Sequence, residues 1–270
     1  MTLTVMLRGG GDLASGVAYR LARAGIGVWI TELAQPLSVR RTVSFSEAIY
    51  NGDTSIEGVN CRLAQNLDEA QQYNRMGIIP IIIDPDGKSA LELSPCAVID
   101  ARMMKKKPSG SLIENAFLVG LGPGFTAGVD CHVVIETNRG PYLGRVYWAG
   151  SAQEDTGIPE MVLNHREDRV LRAPCDGIVD ALVEIGAIVK EGQPVIRIND
   201  QLIKSPFAGL VRGMIHPGLS VTTGMKIGDV DPRPDPMLTT LISDKALAIA
   251  GGVMEALFTP SEVRRQIFRQ

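Results

Sequence analysis

The 270-residue sequence predicts an α/β domain followed by a small all-β domain and a C-terminal helix. Three patterns carry that expectation. A short apolar strand near the start runs into a glycine turn and then a helix-period pattern. A second strand, ending near residue 121, runs into another glycine-rich loop. Beyond residue 170, β-type segments repeat with glycine and proline at matching places.

The first pattern is Leu3-Thr4-Val5-Met6-Leu7-Arg8, broken by Gly9-Gly10-Gly11-Asp12. Leu13, Val17, Leu21 and Ala24 then fall on one helical face, with Gly25 as the C-terminal stop. Val28-Trp29-Ile30-Thr31 reads as the next strand and ends at Glu32. Strand, glycine turn, helix, strand and acid in this order make the first unit of a Rossmann-like domain. Glycines let the backbone approach an anion, and the free N–H groups of a new helix point at a phosphate. Glu32 lies where an acid bonds ribose hydroxyls. After Gly9 and Gly11 come Ala14 and Gly16, a departure from the strict dinucleotide spacing. Two readings of Gly9, Gly10, Gly11 and Asp12 therefore stand: a nucleotide or phosphate seat, or a turn that only fits helix against sheet.

Further strands are Ile78-Ile79-Pro80-Ile81-Ile82-Ile83, closed by Asp84-Pro85-Asp86-Gly87, and Ala97-Val98-Ile99-Asp100. Residues 66–75 are polar and helix-compatible. Asp100 ends a strand at the edge where α/β sheets bind ligands. Lys105-Lys106-Lys107 reads as a solvated loop or as an anion clamp. The second glycine loop follows Phe117-Leu118-Val119-Gly120-Leu121 and runs Gly122-Pro123-Gly124-Phe125-Thr126-Ala127-Gly128. So many flexible residues around Thr126 make poor core and good anion-cradling backbone. It is not a Walker A loop, because no Gly-Lys-Ser/Thr follows. His132–Glu136 and Leu143–Trp148 then read as a hairpin with Glu136, Asn138 and Arg139 near its tip. There, Glu136 and Arg139 either pair on the surface or grip an anionic ligand.

A net charge of -3 offers no general attraction to nucleic acid or anionic lipid. No apolar run reaches membrane length, and the first residues run straight into a strand rather than a signal peptide. Cys61, Cys96, Cys131 and Cys175 are scattered, which suggests reduced thiols and a cytoplasmic location. His132, His165 and His216 lie far apart, and adjacent Cys131 and His132 would point to opposite faces of a strand. No metal site is expected.

The repeat aligns Arg172-Ala173-Pro174-Cys175-Asp176-Gly177-Ile178-Val179 with Lys204-Ser205-Pro206-Phe207-Ala208-Gly209-Leu210-Val211. At the same offset Gly186 matches Gly218, Val189 matches Val221, Gly192 matches Gly224, and Ile198 matches Val230. Two such halves resemble the biotinyl/lipoyl barrel-sandwich domain, whose carrier members bear a lysine on the hairpin between halves. The junction here, Asn199-Asp200-Gln201-Leu202-Ile203, has none, and Lys204 aligns with Arg172 at the start of a strand. Lys245 sits in a carrier-like Asp-Lys-Ala triplet, but Ser243 reads as the N-cap of a helix there. A non-carrier is therefore expected. The expected domains are 1–165 (α/β), 166–234 (pseudo-two-fold β) and 235–270 (a helical segment packing on the first).

Several motifs in order resemble the YqeB family over nearly the whole chain. They are Arg8-Gly9-Gly10-Gly11-Asp12-Leu13-Ala14, Arg40-Arg41-Thr42-Val43-Ser44-Phe45, Gly120–Gly128, Glu136-Thr137-Asn138-Arg139-Gly140, Asp155-Thr156-Gly157-Ile158-Pro159, Arg172-Ala173-Pro174, Lys226–Arg233 and Ile242-Ser243-Asp244-Lys245-Ala246. Arg102-Met103-Met104-Lys105 and Glu160 depart from the pattern and leave roles for Lys105 and the Pro159 loop without support. The resemblance implies an accessory role in maturing selenium-dependent molybdenum hydroxylases. The expected function is a maturation factor binding a phosphorylated ligand, such as the molybdenum cofactor in its dinucleotide form, with a hydroxylase as partner. One alternative is an NAD(P)-dependent oxidoreductase, although no Tyr-x-x-x-Lys or paired His/Asp set for proton transfer stands out. Another is a ligand-free scaffold for the hydroxylase. The ligand is expected between Gly9–Asp12 and Gly122–Gly128.

Overall fold

The computed structural model describes residues 3–104, 115–155, 157, 161–163 and 165–268. Lys105, Lys106, Lys107, Thr156, Ile158, Pro159 and Glu160, singled out above, lie outside the described residues. In chain order the elements begin β1 (Val5–Arg8), α1 (Asp12–Arg23), β2 (Val28–Glu32), α2 (Ala48–Asn51), β3 (Asp53–Ile56) and β4 (Val59–Leu63). Next come α3 (Leu67–Arg75), β5 (Ile79–Ile83), α4 (Ser89–Leu93), β6 (Ala97–Asp100), β7 (Phe117–Leu121) and β8 (Thr126–Ala127). β9 (Val133–Ile135), β10 (Val146–Tyr147) and β11 (Gly150–Ser151) follow. The repeat supplies β12 (Val170–Arg172), β13 (Gly177–Ala181), β14 (Ile188–Val189), β15 (Pro194–Ile198) and β16 (Gln201–Lys204). It continues with β17 (Gly209–Met214), β18 (Ser220–Val221) and β19 (Lys226–Asp231). The chain closes with α5 (Met237–Thr240), α6 (Asp244–Phe258) and α7 (Ser261–Phe268).

The chain divides into two compact units. The first comprises Met1–Pro36, Ser44–Asp155 and Ile242–Gln270, and the second Leu37–Val43 and Thr156–Leu241. The first unit is built on a nine-stranded sheet in the order β10-β9-β7-β6-β1-β2-β5-β4-β3. Its strands pair in parallel except at the two edges, where β3–β4 and β9–β10 are antiparallel. The inner strands are apolar on both sides because helices cover both faces. Val5, Leu7, Ile30, Ile99 and Ile135 pack with Ala14, Val17 and Leu21 of α1 and Ile249, Val253 and Leu257 of α6. On the other face Met6, Trp29 and Val98 meet Ala70 of α3 and Ala90 of α4. The Trp29 Nε1–H donates to Ser89 Oγ at 3.2 Å, so its one polar atom is satisfied.

Close approach requires glycine on the α6 side. A Cβ at Gly16 of α1 would lie 2.7 Å from the Ala246 Cβ, and one at Gly252 of α6 only 2.2 Å from the Gly144 carbonyl oxygen. The Ser243 hydroxyl accepts from the Ala246 N–H at 3.2 Å and caps α6, so Lys245 lies in its first turn.

The second unit holds two antiparallel four-stranded sheets, β12-β19-β17-β14 and β16-β15-β13-β18. Shifting β12, β13, β14 and β15 by the repeat offset lands on β16, β17, β18 and β19, so each sheet order maps onto the other. The short Leu37–Val43 segment joins this unit through Arg40 Nη2, which donates to the carbonyls of Leu238 and Leu241 at 3.0 and 3.1 Å.

These arrangements correct the fold class expected from the sequence, a Rossmann-like domain followed by a barrel-sandwich. The first unit is a mixed sheet with antiparallel edges, and a β3–β4 hairpin is inserted between β2 and the α3 crossover that leads into β5. One helical layer is completed by α6, from the far end of the chain. The second unit is a pair of sheets that also draws on residues before β3. Local periodicity reports strands and helices, but it is blind to which distant segment fills a layer. Among the described residues no helix is long and apolar enough to cross a membrane.

A buried ion network ties Arg169, the residue before β12, to β17 and β19. Asp231 is fully buried and pairs with Arg233 at 2.8 Å, while Arg169 reaches both Asp229 and Asp231 at 3.4 Å. Arg212 pairs with Asp229 at 3.2 Å. Burial works to raise the Asp231 carboxyl, but the hydrogen bonds and charge of Arg233, with Arg169 behind them, hold it below the usual carboxylate range. Its stabilising contribution is thus present above the unfolded carboxyl pKa of about 4 and lost as pH falls through the lower folded value. Asp231→Asn should cost about 3 kcal/mol at pH 7, because it leaves buried guanidinium charge uncompensated. It should also flatten the loss of stability below pH 4. Urea unfolding of parent and variant from pH 7 to pH 3 checks both, and equal acid sensitivity would refute the assignment.

Candidate functional site

Because β1, β2, β5, β6, β7 and β9 are parallel, their carboxyl ends share one edge, the side on which open α/β sheets receive ligands. The Gly9–Asp12 turn, Glu32, Asp100, the Gly122–Gly128 loop and Glu136 all lie at this edge. The first turn abuts the end of β6, since a Cβ on Gly9 would lie 3.5 Å from the Ala101 backbone. The second loop abuts both Met103 and Thr137: a Cβ on Gly122 would stand 3.1 Å from Met103 Cε and 2.5 Å from Thr137 Oγ1.

At the first turn the backbone is already engaged. The Gly9 N–H donates to the Thr31 carbonyl at 2.8 Å, and the Gly10 carbonyl accepts from Ser46 N–H at 2.9 Å and Ser15 Oγ at 3.1 Å. The Gly10 N–H donates to Glu32 Oε2 at 2.7 Å, while Glu32 Oε1 takes its own neighbour Leu33 N–H at 2.8 Å. Gly11 is the N-cap of α1 with no side-chain cap, and Asp12 opens the helix. Glu32 therefore stands where the sequence placed it but holds the turn, and its negative charge faces the position a phosphate would take.

Asp100 is likewise engaged. Arg102 grips it through Nε at 2.9 Å and Nη2 at 2.5 Å, with Arg8 Nη1 at 3.8 Å on the other side. Arg8 runs under the loop after β5 and donates to the carbonyls of Pro85 and Asp86. Burial first, then the nearby Arg102 charge, lowers the Arg8 pKa from its ordinary value.

In the second loop, Gly122 and Gly124 have φ of +75° and +100°, a left-handed course that folds Phe125 back over the strand. A Cβ on Gly120 would lie 2.4 Å from the Phe125 ring. The Thr126 N–H donates to Asp130 Oδ2 at 3.0 Å, the Thr126 and Ser151 hydroxyls are 3.0 Å apart, and the Gly128 N–H donates to the Cys131 carbonyl. Burial first, with the charges of Asp130 and Asp100 after it, pushes the Cys131 thiol up to about 11, so it is no nucleophile at neutral pH.

At the hairpin tip Glu136 and Arg139 engage different partners rather than each other. Arg139 pairs with Asp244 at 2.7 and 2.9 Å. Glu136 is fully buried: Oε1 accepts from the Thr137 and Asn138 N–H groups at 2.8 and 2.7 Å, and Oε2 from the Gln153 N–H at 2.8 Å. Asn138 Nδ2 donates to Gln153 Oε1 at 2.9 Å.

Beside the second loop lies a cavity of about 560 Å³ lined by Pro123–Thr126, Val129 and Asp130 and by Ser151, Ala152, Glu154 and Asp155. Of the residues singled out in the sequence, Gly124 and Thr126 line it. Asp130 and Glu154 were missed, and Asp155 stood out only within a family motif; three acids flanking a glycine loop at distant positions carry no spacing signal. His165 and Asp168 were missed too, although a spacing of three is visible in the sequence. Their Nδ1 and Oδ2 lie 2.5 Å apart, the ring centroid is 3.8 Å from that of Phe207, and the bond from His165 lowers the Asp168 carboxyl. Among the described residues no group of three or more His, Cys, Asp or Glu side chains could hold a metal ion.

No protein-family model matches the chain. It is 46% identical over 253 residues to "Uncharacterized protein YqeB" of Escherichia coli (strain K12), a match covering 94% of this chain and 47% of that protein. The chain thus spans about half the length of the curated relative it matches. Similar solved structures include the product-bound ectoine utilization protein EutE (DoeB) from Ruegeria pomeroyi, at 11% identity and a TM-score of 0.23, covering 84% of this chain and 56% of that one. A succinylglutamate desuccinylase from Silicibacter sp. matches at 12% and 0.26, over 85% and 84% of the two chains. An aspartoacylase family protein from Mesorhizobium loti matches at 11% and 0.25, over 85% of each. At these scores the likeness assigns no activity.

The occupied first turn has a measurable consequence. Glu32→Ala should cost about 1.5–3 kcal/mol, the value of a hydrogen bond to a charged acceptor. Inorganic phosphate should then raise the melting temperature of the variant more than that of the parent, because the Gly10 amide no longer faces a carboxylate. Equal phosphate responses would show that Glu32 does not guard this turn.

Proposed function

Because this chain belongs to the YqeB family, we propose that it is an accessory factor in the maturation of selenium-dependent molybdenum hydroxylases, holding a small organic ligand beside its second glycine loop. The cavity of about 560 Å³ at the sheet edge carries this reading, since small-molecule sites span roughly 300–1,000 Å³. Its walls define the chemistry. The carboxyl groups of Asp130, Glu154 and Asp155 offer hydrogen-bond acceptors, and Thr126 and Ser151 add hydroxyls, while Pro123, Phe125 and Val129 offer apolar surface. A flat heterocycle with adjacent ring N–H and amino donors suits such walls, as in a pterin or guanine. Both ends of a molybdopterin guanine dinucleotide carry that pattern.

The phosphates of such a ligand would lie away from this acidic wall and away from Glu32, and not in the Gly9–Asp12 turn where the sequence suggested them. Against the oxidoreductase reading, Glu32, its ribose-binding acid, is held by the Gly10 and Leu33 N–H groups.

Guanosine and neopterin should bind the parent in calorimetry, and NAD should not. Glu154→Gln should weaken guanosine about tenfold or more, the loss of one hydrogen bond to a charged acceptor. Hydroxylase purified from cells lacking this protein should contain less molybdenum cofactor. If neither heterocycle binds but the cofactor content still falls, the ligand-free scaffold is the better account. If the content is unchanged, the accessory role is wrong.

A further inference from the structure

We infer that Glu136 is the positioning residue of this cavity: its buried carboxylate sets the strap from Ser151 to Asp155 that forms the acidic wall. The inference rests on reading the cavity as the ligand site, but its central test does not. Glu136 has no exposed surface, and among the described residues no basic side chain bonds to it; its hydrogen bonds come from the N–H groups of Thr137, Asn138 and Gln153. A buried anion held by backbone donors is tolerated only while those donors stay aimed at it, so each must keep its place. Two of them lie next to Glu136 in the chain. The third, Gln153, lies on the strap between Ser151 and Ala152 on one side and Glu154 and Asp155 on the other, all four of which line the cavity.

The strap is also attached at its start. Gly150 and Ser151 pair with Ala127 and Thr126, and the two hydroxyls of Thr126 and Ser151 meet. At Gln153 the hold is the Glu136 carboxylate, backed by the Asn138 amide on the Gln153 side chain. The carboxylate therefore fixes the strap at Gln153, the residue directly before Glu154 and Asp155.

The division of labour between the two oxygens makes the idea testable with one atom. In Glu136→Gln the amide oxygen can keep the Thr137 and Asn138 donors, but the NH₂ then faces the Gln153 N–H, donor against donor. Hydrogen exchange should show the Gln153 amide opening about tenfold faster or more in this variant. Amides of β7 and β9 should keep the parent's protection. Guanosine affinity should fall by a similar factor. Gln153→Pro removes the same donor from an exposed position and should weaken guanosine likewise, so the test survives if the first variant does not fold. Parent-like exchange across residues 151–155 in Glu136→Gln would overturn the inference whether or not guanosine binds. Failure of guanosine to bind the parent, with the strap released as expected, would instead count against the ligand and leave the positioning role standing.

Discussion

The first unit depends on the contact between α1 and α6, helices separated by more than two hundred residues of chain. Gly16 presents only a hydrogen where a methyl group would collide with Ala246, so the two helices pack backbone to backbone. Their apolar faces then close over Val5, Leu7, Ile30, Ile99 and Ile135 as one layer. Neither helix could bury that face alone, and a helix of this length is marginal in water without such packing. The same helix, through Gly252, lets the chain at Gly144 approach, and through Asp244 it holds Arg139. The position of the hairpin that carries Glu136 is therefore tied to α6.

Acidic residues at the sheet edge do two different jobs. Glu32, Asp100 and Glu136 are absorbed into the scaffold, each satisfied by nearby donors: an amide at a glycine turn, two guanidiniums, and three backbone N–H groups. A buried carboxylate without such donors would cost several kcal/mol, so these geometries are the condition of having the acids there at all. Asp130, Glu154 and Asp155 line an open cavity, and Asp130 also accepts from the Thr126 N–H of the glycine loop. The glycine loop beside it gains its shape from Gly122 and Gly124, and folding Phe125 back over Gly120 turns one aromatic face into a wall.

What the sequence by itself determined is local and periodic. The strands at Val5–Arg8, Val28–Glu32, Ile79–Ile83 and Ala97–Asp100, the helix after Gly11, and the cap at Ser243 follow from apolar spacing, glycine stops and capping chemistry, which act within a few residues. The repeated strand pattern from Val170 to Asp231 was legible for the same reason, because each half meets the same local demands. At the site, Gly124 and Thr126 were legible as members of a loop too rich in glycine to be core. Only the tertiary structure decided which layer α6 fills, that both sheet edges are antiparallel, and that residues 37–43 belong with the second unit. It alone decided that Arg139 pairs with Asp244 rather than Glu136, and that Glu154 and Asp155 line the same cavity as Thr126. These pairings join positions tens to hundreds of residues apart, and a burial or charge partner at that separation leaves no period or spacing in the chain to read.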